Sequence, residues 1–251
     1  MAEPILLCRI DGAVGRLTLN DPGRANALSE AMMTALSRAL ADLAADPAVR
    51  VIVLAAEGRI FCAGHDLAEL RDGRDAAAHE ALFTQCSALM RAIVACPKPV
   101  IARVQGAAVA AGCQLVASCD LAFSADTARF AVSGINLGLF CSTPGVALAR
   151  AVGRKDALEL LLTGRFAGAD EAAAMGLINR SVPAADLDTA VDEAALAIAA
   201  KAPDAIALGK RVFNQQIDLT LEEAYVAASK AMAENLAFES ARTGIDGFLK
   251  R

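Results

Sequence analysis

The sequence predicts an α/β core followed by an all-helical tail. Three observations carry this. Short β-branched runs alternate with amphipathic helical stretches, as in an α/β domain. The stretch Lys98 to Asp120 opens as a strand (Val100, Ile101, Val104), breaks at Gly106, passes through small residues over 107–112 and ends as a helix with Leu115 and Val116 inward. Beyond Pro183 the pattern is helical to the end. Strand, small-residue turn and helix leave backbone N–H groups free at a helix N-terminus, where they can face developing negative charge. The same small residues also let a buried helix sit close to a sheet.

In chain order, Ile5 to Ile10 and Val14 to Leu19 flank Asp11-Gly12-Ala13, a hairpin signal. Asn20 to Arg24 is a polar loop. Ser29 caps a helix whose Met33, Leu36, Leu40 and Leu43 share one face, ended by Asp46-Pro47. Val49 to Ala56 is a buried strand. After a turn around His65, Glu69 to Asp75 is expected to be a mobile loop. His79 to Cys96 is a helix with Leu82, Leu89 and Ile93 inward, stopped by Pro97. Strand Leu121 to Ser124 and helix Lys155 to Leu162 follow. Ala169 to Met175 is a short helix with Gly176 as its left-handed end. Leu177 to Val182 is the last strand. Helices are expected over 187–200, 204–215 and 221–235, with a final turn to Lys250. The chain is divided into a core, 1–196, and a helical region, 197–251.

Composition excludes several classes. Hydrophobic residues make up 56% and charged residues 21%, which rules out a disordered chain. No apolar run approaches the roughly eighteen residues of a membrane span. Met1-Ala2-Glu3-Pro4 puts no positive charge before an apolar segment, so no secretory signal is expected. A net charge of −5 argues against a nucleic-acid surface. The seven cysteines are odd in number and lack a C-x-x-C pair, so they read as small core residues in a reducing compartment, taken as cytoplasmic. Two histidines, His65 and His79, are too few for a histidine-rich metal site, and no metal is expected.

A second motif, Phe61-Cys62-Ala63-Gly64-His65-Asp66-Leu67, follows the strand at 51–55. Together with Lys98-Pro99-Val100-Ile101-Ala102, Gly112-Cys113-Gln114-Leu115 and Cys119-Asp120, it resembles the crotonase (enoyl-CoA hydratase/isomerase) superfamily. Asn26-Ala27-Leu28, Leu162-Thr163-Gly164-Arg165, Ala174-Met175-Gly176-Leu177 and Gly247-Phe248-Leu249-Lys250 extend the likeness over nearly the whole chain.

The resemblance implies a spiral of ββα units with a C-terminal helical region that builds trimers, often paired into hexamers. It implies an acyl-CoA thioester substrate, so that CoA arrives with the substrate and no separate cofactor is needed. Two backbone N–H groups, of His65 and Ala111, would hold the enolate-like thioester oxygen. Removing one such donor typically costs about 10²–10³ in rate. The imidazole of His65 is a second candidate as general acid or base. Arg24, beside Ala27, matches a basic position near the CoA phosphates. Ala63, Gly64, Asp66 and Leu67 match the adenine-lining turn. Phe248 and Lys250 match a pair that reaches a neighbouring subunit's CoA, or they belong to a frayed tail.

The acids depart from the pattern. Hydratases of the superfamily use two glutamates, one after the Gly-Cys of the turn and one in a later Pro-Glu pair. Those positions hold Gln114 and, in Ser133-Gly134, Gly134. Glutamine exchanges no proton at neutral pH and glycine has no side chain, so hydration is expected to be weak. One subgroup of the superfamily shares this loss and resembles the chain over 130–150. The expected activity is therefore acyl-CoA thioester processing with oxyanion stabilisation. The alternatives are a catalytically weak acyl-CoA-binding protein, or an isomerase, decarboxylase or thioesterase. Cys141, Ser142 and Thr143 are the polar groups expected near the acyl pocket, with no base partner evident. Glu69 and Asp120 are further candidate carboxylates.

Overall fold

Gly12 and Ala13 turn the chain between β1 (Leu6–Asp11) and β2 (Val14–Leu19), which pair antiparallel from Asp11↔Val14 to Leu6↔Leu19. This is the expected hairpin, in a computed structural model that describes residues 3–71, 73 and 75–250. Met1, Ala2, Asp72, Arg74 and Arg251 lie outside the described residues, so the start of the chain and part of the loop expected over 69–75 go undescribed.

Helix α1 (Glu30–Ala45) begins where Ser29 Oγ accepts the Met32 N–H, and it buries Met32, Met33, Leu36, Leu40 and Leu43. Strand β3 (Val51–Ala56) pairs parallel with β2. Its unbroken apolar run fits a parallel strand covered on both faces. The short β4 (Ile60–Cys62) then leaves that sheet for a second one.

Helix α2 (Leu67–Arg71) occupies part of the stretch expected to be a loop. Asp66 is the reason: its Oδ1 accepts the Ala68 N–H and its carbonyl the Leu70 N–H, capping a turn that the polar sequence concealed. Helix α3 (Ala76–Ala95), capped by Asp75, starts before His79 and buries Leu82, Leu89 and Ile93 as expected.

Strand β5 (Val100–Val104) pairs with β3. The small-residue run then holds β6 (Ala107–Val109), a strand rather than only a turn, paired with β4. An Ala-rich triplet has no β signal of its own, so pairing in the second sheet decides it. Helix α4 (Ala111–Ser118) and β7 (Leu121–Ala125) come next. Strand β8 (Arg129–Ala131) joins β6.

The 3₁₀ turn Ser133–Leu137 leads into α5 (Ser142–Ala151), which the sequence reading missed. Pro144 lies in its first turn, where a missing N–H costs nothing. Helix α6 (Arg154–Thr163), β9 (Ala167–Gly168), α7 (Ala169–Ala174) and β10 (Arg180–Val182) complete the core. Residues 177–179 precede the strand instead of belonging to it, because the Leu177 and Ile178 N–H groups fold back onto Ala172 O.

The larger sheet runs β1-β2-β3-β5-β7-β10 and the smaller β4-β6-β8-β9. Each of β3, β5 and β7 hands the chain to a strand of the smaller sheet and then to a helix, three turns of a ββα spiral. Helix α8 (Leu187–Ala199) covers the outer face of the larger sheet, burying Leu187, Val191 and Ala195 against Val53, Ile101 and Phe123. The boundary expected at 196/197 falls in the last turn of α8.

Helices α9 (Pro203–Gln216), α10 (Leu221–Leu236) and α11 (Glu239–Leu249) form the tail. The expected final turn is thus a full helix. Lys210 of α9 ties the tail to the core by donating to Ile93 O, Lys98 O and Asp120 Oδ2. No helix among the described residues is long and apolar enough to cross a membrane.

Candidate active site

Two turns, one from each of the first two ββα units, meet beside a cavity of about 420 Å³. The first turn leaves β4 through Ala63, Gly64 and His65. It is pinned by the loop before α1: Ala63 N–H donates to Ala25 O (3.0 Å) and Leu28 N–H to Gly64 O (2.8 Å). Asn26, fully buried, locks that loop. Its Nδ2 donates to Glu57 O and Ile60 O, and its Oδ1 accepts the Asp21 N–H.

The second turn leaves β6 at Ala110 and enters α4 at Ala111. Ala110 has φ 50° and ψ −116°, a strained conformation for a residue with a side chain. The two turns touch. Gly64, at φ +94°, lies where an added Cβ would stand 3.2 Å from the Ala111 nitrogen. A Cβ on Gly112 would stand 2.2 Å from Cys62 O, so only glycine lets α4 start against β4.

The His65 and Ala111 N–H groups donate to no protein acceptor among the described residues. For Ala111 this follows from its place as the first residue of α4. Both residues line the cavity, with Ala63, Leu67 and Gly134. Phe83 of α3 and Leu137, Leu139 and Phe140 complete a mostly apolar wall. Phe83 carried no signal in the sequence, because it stands one position beside the buried stripe of α3. The strain at Ala110 was equally hidden, since a glycine would be expected at such an angle.

The other expected residues fall into separate places. Gln114 is buried but is not on the cavity wall; its Oε1 faces the Cys86 thiol at 3.9 Å. Gly134 is on the wall but sterically closed. A Cβ there would lie 2.5 Å from Leu139 O and 2.7 Å from Cys141 Sγ. Arg24 is ion-paired with the buried Asp66, which binds the guanidinium to the first turn. Ala27 is half-buried in the same loop. Phe248 and Lys250 lie at the far end of α11, off the cavity, with Phe248 exposed.

No carboxylate lines the cavity among the described residues. Glu69 Oε2 accepts the Glu30 N–H, and Asp120 Oδ2 accepts from Val100 N–H (2.7 Å) and Lys210 Nζ (2.6 Å). A cleft of about 660 Å³ beneath α9 is larger, but its charged groups are paired, Asp120 with Lys210 and Arg150 with Asp218. No group of three or more potential metal ligands occurs among the described residues. Cys141 also lines the cavity, at the N-terminus of α5, and burial raises its thiol pKa.

A sequence model of the enoyl-CoA hydratase/isomerase family matches residues 9–251. The chain belongs to that family. Among its solved members, an enoyl-CoA hydratase from Mycobacterium smegmatis superposes with a TM-score of 0.97 at 53% identity, covering 99% of this chain and 97% of that one. Human enoyl coenzyme A hydratase domain-containing protein 3 superposes with a TM-score of 0.96 at 43% identity, covering 98% of each chain. The Xenopus laevis protein of that name, described as mitochondrial, is 43% identical over 248 residues, 99% of this chain and 84% of that protein. The superfamily and the subgroup indicated by the 130–150 segment are both shown.

Proposed function

We propose that the chain binds an acyl-CoA thioester with its carbonyl oxygen between the N–H groups of His65 and Ala111. The observation that supports this most is the pair of unspent donors at the head of an apolar cavity. A donor pre-aimed in a water-poor site stabilises the oxygen of an enolate more than that of the resting carbonyl. The acyl chain lies along Phe83, Leu137 and Phe140. Arg24, half-exposed and anchored through Asp66, stands ready for a CoA phosphate.

The reaction we assign is enolate chemistry at the thioester, with hydration weak. Gln114 is off the cavity wall and Gly134 has no room for a side chain, so the wall supplies no carboxylate to activate water. That same absence favours a second reading, an acyl-CoA-binding protein of low turnover.

Self-association into trimers or hexamers fits Phe213, Leu221, Tyr225 and Phe248, large apolar side chains left exposed on α9–α11. Phe248 and Lys250 would then meet CoA only across a subunit boundary. All seven cysteines are free thiols, which suits a reducing compartment such as the cytoplasm.

Calorimetric titration with butyryl-CoA, set against CoA alone, tests the binding. Saturable heat that depends on the acyl group supports the proposal. No heat up to millimolar butyryl-CoA overturns it.

A further inference from the structure

Of the described side chains lining the cavity, only those of His65 and Cys141 gain or lose a proton. The imidazole packs edge-on against Phe83, ring centroids 5.3 Å apart and planes at 81°, a contact that uses neither nitrogen. Both ring nitrogens are shut off from solvent, and neither makes a well-formed hydrogen bond among the described residues, the Leu28 backbone being the one group that interacts with the ring. Buried polar atoms left unpaired are uncommon and destabilising, and one beside a cavity calls for an explanation such as a catalytic role.

The charged neighbours are turned elsewhere. Asp66 is engaged by Arg24 and the Ala68 N–H. On α2, Glu69 accepts the Glu30 N–H, and on α3, His79 Nε2 meets Leu70 O. Cys141, on the α5 side, keeps its thiol proton because burial raises its pKa. Burial lowers the pKa of His65, against a smaller opposing effect of the Leu28 backbone, and so favours the neutral ring, the form that can take a proton.

We propose that His65 serves the site twice, its N–H holding the thioester oxygen and its imidazole carrying the α-proton of the acyl group. This rests on the acyl-CoA reading above. The step requires the ring to turn at Phe83 so that a nitrogen meets the cavity. That nitrogen takes the proton from the carbon next to the carbonyl. The C–H electron pair becomes a C–C double bond, and the carbonyl π pair moves to the oxygen held by the two N–H groups. The imidazolium trades its proton with a water molecule entering the cavity and returns a solvent-derived proton to the α-carbon, giving exchange, or passes the original proton to the γ-carbon of a β,γ-unsaturated chain, giving isomerisation. Isomerisation needs no second reactant, and exchange needs only water.

The test follows α-proton exchange of butyryl-CoA in D₂O by NMR, with binding measured in parallel, for wild type, His65→Phe and His65→Gln. The Phe variant keeps the backbone N–H and the ring packing; the Gln variant keeps a polar side chain that neither gains nor loses a proton near neutral pH. Wild type is expected to exchange, at a rate that rises with pH through a midpoint below the ordinary histidine value of 6.5. Both variants are expected to bind within about threefold of wild type and to lose at least about a hundredfold in exchange. Exchange at the wild-type rate in the bound Phe variant overturns the role of the imidazole and leaves the acyl-CoA reading standing. So does a wild type that binds without exchanging. A wild type that does not bind overturns the reading beneath it.

Discussion

Gly64 lies so close to Ala110 that a methyl group on Gly64 would stand 3.0 Å from the Ala110 Cβ. The same methyl would stand 3.0 Å from Val109 O. The distance between the two turns, and so between the two N–H donors, is set by this contact. Gly64→Ala is expected to cost about 1–3 kcal/mol through its left-handed backbone alone and to lower butyryl-CoA affinity at least tenfold. Urea unfolding and calorimetry check the two effects; a variant with unchanged affinity would separate the contact from the site.

Ala110→Gly is expected to act in the opposite sense on stability. Glycine takes φ 50°, ψ −116° without the penalty alanine carries, and that gain exceeds its greater unfolded-state freedom. A net stabilisation of about 1 kcal/mol by urea unfolding is expected. A clear loss would mean that the alanine methyl packs more than it strains.

How much of this was legible in the sequence depends on where the information lay. The α1 stripe, the Ser29 cap and the β1–β2 hairpin are local, and they stand where periodicity and turn chemistry put them. Strand β6 and helix α5 were not legible: one is decided by its neighbours in the smaller sheet, the other carries Pro144 and Gly145 in a helix. Motif order led to His65 and Ala111, which the fold brings to one cavity. Motif order also led to Gln114, but its contact is with Cys86, 28 positions away, and not with the cavity. The crowding of Gly134 by Leu139 and Cys141 depends on a loop path that no local pattern encodes.

Restoring the two acids is expected to fail as a repair. Gln114→Glu places a carboxylate beside Cys86 rather than in the cavity, and Gly134→Glu collides with Leu139 O and Cys141 Sγ. The single variants and the pair are expected to hydrate crotonyl-CoA no faster than wild type, followed by loss of the enoyl-thioester absorbance. A rise of a hundredfold or more in the pair would show that the 134–141 loop opens for a side chain.

The depressed pKa of His65 carries a stability signature. Burial is the cause, so the folded protein resists protonation that the unfolded chain accepts near pH 6.5. The resulting stability is complete above that value and is lost as pH falls through the lower folded-state pKa. His65→Phe removes this dependence. Between about pH 7 and pH 5 the variant is expected to gain on wild type in urea unfolding. A difference that stays constant over that range would place the imidazole in a more solvated setting.

Light scattering at micromolar protein is expected to give a trimer or a multiple of it. Leu221→Glu with Tyr225→Glu, both on the exposed side of α10, is expected to shift the mass toward monomer. A wild-type monomer would leave those side chains without the partner assigned to them.

The N–H groups of His65 and Ala111 are proposed to hold a thioester oxygen. The infrared band of the thioester carbonyl reports it most directly, read as the difference between butyryl-CoA labelled with ¹³C at the carbonyl and unlabelled butyryl-CoA, each bound to the protein. Two aimed donors polarise the carbonyl, so the bound band is expected at lower frequency than in water, with the shift retained in His65→Phe and reduced in Gly64→Ala. Butyryl-CoA bound with its carbonyl band at the frequency found in water would show that the two N–H groups do not hold the thioester oxygen.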